Sequence, residues 1–120
     1  MEPRALHHVS INVRDVEAAV EFYTQVLGLQ LRSDRPDFGF GGAWLDVGDQ
    51  QVHLFEAPMP EARGQHFAVQ VAVIEDAVAE LRQRGITVSD PMPVGGNWQA
   101  FLDDPSGNSI ELHQVGTARR

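Results

Sequence analysis

His8-Val9-Ser10-Ile11-Asn12-Val13 and His66-Phe67-Ala68-Val69-Gln70-Val71 stand 58 residues apart, and their likeness decides the fold. Each alternates side chains of opposite character, the mark of a strand buried on one face. Working outward at the same shift, Val16-Glu17-Ala18-Ala19-Val20 lies on Ile74-Glu75-Asp76-Ala77-Val78, and Gln25 lies on Gln83. After a one-residue slip Gly28 matches Gly85, Leu29 matches Ile86, and Trp44-Leu45-Asp46 matches Phe101-Leu102-Asp103. Gln51-Val52-His53-Leu54 then falls on Ser109-Ile110-Glu111-Leu112, again 58 residues on. Identities are few, but apolar pattern and glycines keep step, so the chain reads as two copies of one unit. Pro58, Pro60 and Gly64 make residues 57–65 a joint.

Each copy opens with a strand (residues 6–13 and 66–73). A helix follows. In the first copy Asp15 is its N-cap, Val16, Ala19, Val20, Tyr23 and Leu27 its apolar stripe, and Gly28 its end. In the second the stripe is Ile74, Ala77, Val78 and Leu81, closed by Gly85. Three strands complete each copy, at 30–34, 42–47 and 51–56, then 87–91, 98–102 and 109–114. Gly48-Asp49 and Asp104-Pro105-Ser106-Gly107-Asn108 supply turns. A βαβββ unit buries only one sheet face, so two must pair. The expected fold is α+β: two tandem βαβββ modules, about 5–57 and 64–115, forming a cupped mixed sheet with helices on the outer face, in one domain over 1–120.

Composition bounds the function. The 120 residues are 42% hydrophobic and 22% charged, an ordinary globular balance. The chain has nine Arg, no Lys and a net charge of −8, which argues against a nucleic-acid partner. No apolar run is long enough for a membrane span, and Met1-Glu2-Pro3-Arg4 does not open a secretory leader. With no cysteine, any metal must be held by His, Asp or Glu, and the expected compartment is the cytoplasm.

Alternation sorts the strand residues by face. Val9, Ile11 and Val13 face the helix; His8, Ser10 and Asn12 face away. In the second copy Phe67, Val69 and Val71 oppose His66, Ala68 and Gln70. On the last strands, Val52 and Leu54 oppose His53 and Phe55, and Ile110 and Leu112 oppose Glu111 and His113. The face away from the helices therefore holds His8, His53, His66 and Glu111. His8 to His53 and His66 to Glu111 are both 45 residues. Each copy offers one group from its first strand and one from its last. Three imidazoles and a carboxylate suit a divalent transition metal (Zn, Ni, Fe, Mn or Co). His7 points to the other face and is set aside. His113 reads as a pocket residue rather than a ligand. The walls of the substrate site are expected from Ser10, Asn12, Trp44, Phe55, Gln70, Phe101 and His113, with Trp98, Phe38 and Phe40 closing the mouth from loops. Glu111 and His53 are the candidate catalytic groups.

Three stretches resemble the vicinal oxygen chelate superfamily of glyoxalases, bleomycin-resistance proteins and extradiol dioxygenases. They are His8-Val9-Ser10-Ile11-Asn12-Val13-Arg14-Asp15, Phe22-Tyr23-Thr24-Gln25-Val26-Leu27-Gly28-Leu29, and Asp104-Pro105-Ser106-Gly107-Asn108-Ser109-Ile110-Glu111-Leu112. The resemblance implies paired modules around a metal, with ligands at His8, His66 and Glu111. A fourth family position, usually Glu or Gln, falls on His53, which could ligate or act as a base. The implied activity is that of a metal-dependent lyase or isomerase: a small oxygen-rich substrate binds the ion through adjacent oxygens, and an enolate or oxyanion is stabilised. Glu111 would move the proton. A non-catalytic drug-binding protein using the same cup is the alternative, and an Fe(II) extradiol ring-cleavage dioxygenase a further one. A fourth protein ligand at His53 would crowd ring cleavage, and Tyr23 lies on the helix stripe. Phosphonate chemistry would need cations on the face, where no Arg is expected; Arg119 and Arg120 lie only at the tail. The short joint favours a homodimer.

Overall fold

The computed structural model describes residues 1–117. The expectation at Arg119 and Arg120 lies outside them. The chain divides into two compact units, Met1–Glu61 and Ala62–Arg120, at the proline- and glycine-bearing joint.

The first unit runs β1 (His8–Val13), α1 (Val16–Glu21), a π-helical turn (Phe22–Val26), β2 (Gln30–Leu31), β3 (Gly42–Val47) and β4 (Gln50–Glu56). The second runs β5 (His66–Gln70), α2 (Ile74–Gln83), β6 (Met92–Val94), β7 (Asn97–Asp103) and β8 (Ser109–Gln114). Each unit folds its own four-stranded mixed sheet, ordered β1-β4-β3-β2 and β5-β8-β7-β6. First and last strands pair parallel in both. His8 lies opposite Gln51 and His66 opposite Ser109, so the repeat extends to register.

Each helix covers one sheet face. Val13, Ala19, Tyr23, Leu45, Val52 and Leu54 form the core of the first unit, with Tyr23 fully buried. Ile74, Val78, Leu81, Ala100, Leu102, Ile110 and Leu112 form that of the second. Burying each large side chain contributes about 1.5–3 kcal/mol. Asp15 caps α1 as expected, its carboxylate accepting from Ala18 N at 3.2 Å. A second cap was not legible. Val16 N donates to Glu56 Oε2 at 3.2 Å, and Ile74 N donates to Gln114 Oε1 at 2.9 Å. In both units, then, the end of the last strand holds the start of the helix, through residues 40 positions apart.

Several boundaries differ from the sequence reading. β1 starts at His8, with Leu6 exposed; β5 stops at Gln70; and the segment expected at 30–34 pairs only over Gln30–Leu31. Beyond β2, Arg32 N still donates to Trp44 O at 2.8 Å while its side chain bridges Asp34 and Asp46 at 2.7 and 2.9 Å, and the ladder goes no further. The first helix ends in a wider turn: Leu27 N reaches Phe22 O at 3.2 Å, while the Thr24 hydroxyl donates to the Val20 carbonyl at 2.7 Å. The strand expected at 87–91 does not form. There Ser89 N donates to Phe101 O, but Phe101 N donates to the Ser89 hydroxyl rather than to a carbonyl. The edge strand is Met92–Val94, turning into β7 through Gly95 and Gly96 at φ 53° and 85°, the two positive values a type I′ hairpin requires.

Candidate metal and substrate site

In the first unit β4 lies between β1 and β3, placing Ser10 and Trp44 opposite His53. The face away from α1 therefore gathers rings from three strands. His8 stacks on His53 with centroids 3.9 Å apart, and Trp44 stacks on its other neighbourly side at 4.5 Å. His53 is buried, and its Nε2 lies 2.8 Å from Gln51 Oε1. In the neutral ring Nε2–H donates to Gln51, and Nδ1 keeps its lone pair. Burial first, then the positive charges of His8, His7, Arg32 and Arg35, hold its pKa below the ordinary imidazole value. His53 is thus unprotonated near neutrality, as a ligand or base must be.

His7 does not stay apart. Its Nδ1 is 2.9 Å from His8 Nδ1, because it precedes the strand and escapes the alternation used to exclude it. Asn12 donates to the Pro58 carbonyl at 2.9 Å, while Ser10 is exposed on the same face. Phe38 and Phe40 come to this face from the loop, Phe38 6.2 Å from Trp44 and Phe40 5.6 Å from Phe55. They bring Arg35, whose guanidinium carbon is 5.0 and 5.6 Å from the two ring centroids. The expectation of a face without arginine is thereby corrected: the loop supplies one that strand alternation could not reveal.

In the second unit Ala68 and Phe101 flank Glu111, and Gln70 lies opposite His113. Glu111 is buried between two imidazoles: Oε1 is 3.1 Å from His66 Nε2, and Oε2 is 2.7 Å from His113 Nδ1. His113 therefore holds the carboxylate directly. Phe101 meets His66 edge-on at 5.3 Å. His66 Nδ1–H donates to the Gly64 carbonyl at 2.9 Å. A neutral His66 consequently turns the Nε2 lone pair on a carboxylate oxygen, and two acceptors face each other unless a cation stands between them. A proton does so when His66 is charged; the Gly64 contact first, and then Glu111, raise its pKa above the ordinary value.

Trp98 is not with this group. It pairs with Gln114 on the helix-facing side of β7, in line with buried Ala100 and Leu102, and lines a cavity beside Val73 and Ile74. It was expected both at the start of the strand over 98–102 and closing the mouth from a loop; it lies within β7.

The donor set fits a divalent metal. A backbone carbonyl fixes the His66 tautomer so that Nε2 points at a carboxylate, and a second imidazole orients that carboxylate, the surroundings metal ligands characteristically need. Among the described residues, no group of three or more His, Asp or Glu side chains is arranged to hold an ion. Gln51 was missed, although it lies two residues from His53 on the same face.

The sequence profile of the Glyoxalase/Bleomycin resistance protein/Dioxygenase superfamily matches residues 5–112. The Arabidopsis thaliana lactoylglutathione lyase GLX1 is 31% identical over 128 aligned residues covering 94% of this chain, which spans only 45% of that protein. The Escherichia coli O157:H7 lactoylglutathione lyase is 30% identical, with 96% of each chain covered. Among solved structures, TnmS3, an antibiotic binding protein from Streptomyces sp. CB03234, superposes with a TM-score of 0.83 at 26% identity, covering 97% of this chain and 99% of that one.

Proposed function

Because the chain belongs to the Glyoxalase/Bleomycin resistance protein/Dioxygenase superfamily, we propose that it is a metal-dependent enzyme of the glyoxalase-like type, a lyase or isomerase acting on a small oxygen-rich molecule. The residues that would hold the ion are His8, His53, His66 and Glu111. When bound, the ion would supply Lewis acidity to stabilise the negative charge of an enolate or oxyanion. The observation that carries the reading is the His66–Glu111 contact, in which Gly64 leaves Nε2 without a hydrogen of its own to share in the neutral ring.

The chain's own groups divide the remaining work. Glu111 is the group to move a carbon-bound proton, and His113 Nδ1–H stabilises its charged form and fixes its rotamer. His53, kept neutral by burial and nearby cations, offers a second lone pair. Trp44, Phe55, Phe101 and Gln70 offer walls and a polar contact for the substrate. A homodimer remains our expectation for the assembly, tested by sedimentation at micromolar concentration.

The test is proton exchange in deuterated water. A panel of 2-oxo- and 2-hydroxycarbonyl compounds is incubated with the metal-loaded chain. Metal-dependent exchange of the carbon-bound proton next to the carbonyl, lowered at least about 100-fold in Glu111→Gln as expected for loss of a general base, supports the reading. Metal binding without exchange on any compound contradicts catalysis. That result would favour the second reading, a drug-binding protein, which the likeness to TnmS3 and the cluster of Phe38, Phe40, Trp44 and Phe55 support.

A further inference from the structure

We propose that Arg35 is the anion receptor of the first unit's histidine face, and that the molecule bound there carries a carboxylate on a planar apolar body. This deepens the reading of that face as the substrate's, and rests on it.

The position of Arg35 is unusual for a surface arginine. In this acidic chain Arg32, Arg82 and Arg84 pair with carboxylates, whereas Arg35 enters no ion pair among the described residues. Its hydrogen bond runs from Nη2 to the Phe40 carbonyl at 3.1 Å. Its Nε is buried and has no hydrogen-bond partner. A buried N–H left unpaired costs about 1–3 kcal/mol, more when it belongs to a charged group. A group that satisfies it accepts hydrogen bonds, and the guanidinium's positive charge favours an anionic acceptor over a neutral one.

The surroundings are built to hold the guanidinium. Its guanidinium carbon lies over Phe38 and Phe40, so an anion would approach along the guanidinium's edge rather than its face. Room comes from Gly42: a Cβ there would stand 2.6 Å from Arg35 Nη2 and 2.9 Å from Cζ. From the cation the rings run on through Phe38 to Trp44, and from Trp44 to His53. A carboxylate matches the guanidinium fork, and a flat apolar body matches the half-exposed Phe38 and Phe40.

Benzoate and its neutral isostere benzamide test this on the full, metal-free chain, followed by NMR at the Arg35 Nε–H and Trp44 indole N–H. Benzoate should shift both signals and bind at least tenfold tighter than benzamide, with a preference that shrinks as salt rises. Arg35→Gln should weaken benzoate at least tenfold and leave benzamide within twofold; Arg35→Lys, which keeps charge but not the fork, should fall between. Equal binding of the two probes, no binding of either, or unchanged benzoate affinity in both variants overturns the proposal. If Arg35→Gln unfolds, Arg35→Lys decides: affinity equal to the parent's overturns it. Since no metal is present, failure here leaves metal binding by His66 and Glu111 to be judged separately by metal content.

Discussion

At the scale of single residues, the contrast between His53 and His66 carries the chemistry. Both ordinary values are 6.5, yet burial pushes one down while a backbone carbonyl and Glu111 draw the other up. Proton NMR of the metal-free chain should find the His66 midpoint above 6.5 and that of His53 below it. In Glu111→Gln the His66 midpoint should fall but stay raised in part, because the Gly64 contact persists. The linkage sign follows: a raised imidazole pKa adds stability that is fully present below the unfolded value and is lost as pH rises through the folded one. Denaturant midpoints of the metal-free chain should therefore show a His66 contribution that declines as pH rises above 6.5 and is absent in His66→Gln. Gly42 gives a steric counterpart. A Cβ there would meet the Leu54 carbonyl at 2.4 Å as well as Arg35, so Gly42→Ala should cost about 1–3 kcal/mol in chemical denaturation. His8, His53, His66 and Glu111 were legible because alternation assigns strand faces. Arg35 and His7 were not, because residues outside a strand obey no such period.

At the scale of elements, what sequence hid was how the helices begin. Asp15 is a cap any reader of sequence can find, but Gln114 and Glu56 act on backbone 40 residues away. Gln114 is buried, so Gln114→Ala strands the Ile74 N–H and should cost about 1–2 kcal/mol by thermal or denaturant unfolding. Glu56 is exposed, and Glu56→Ala should cost less, about 0.5–1 kcal/mol. Near-equal costs would contradict this account of burial. The turn after β7 was legible from its residues. Buried Asp104 accepts from the backbone of Ser106 and Asn108 and from the Asn108 side chain, each at 2.9 Å. The misplaced strand at 87–91 has the opposite lesson. β-Forming residues there lost their ladder to the Ser89 hydroxyl, while Pro93, a poor strand former, sits on an edge that needs no donor from it.

At the scale of the whole molecule, duplication is the organising fact, and it was readable because a repeat preserves apolar period and glycines when identities are lost. The structure repeats strand order, register and helix-start contacts in the two units. Chemistry has not been repeated: one unit stacks two imidazoles beside a tryptophan, and the other sets a carboxylate between two imidazoles. Such divergence on a common frame lets different side chains arise at equivalent strand positions, which is why spacing could nominate them. The claim on which the proposed function rests is that the chain binds a divalent ion through the histidines and carboxylate named above. Metal content and affinity, measured on the purified chain and on His8→Ala, His66→Ala and Glu111→Ala after equilibration with limiting Zn, Ni, Fe, Mn or Co, test it most directly. Stoichiometric metal is predicted in the parent chain, with affinity reduced when a proposed ligand is removed. Metal content unchanged by all three substitutions, or no stoichiometric metal in the parent chain, would contradict it.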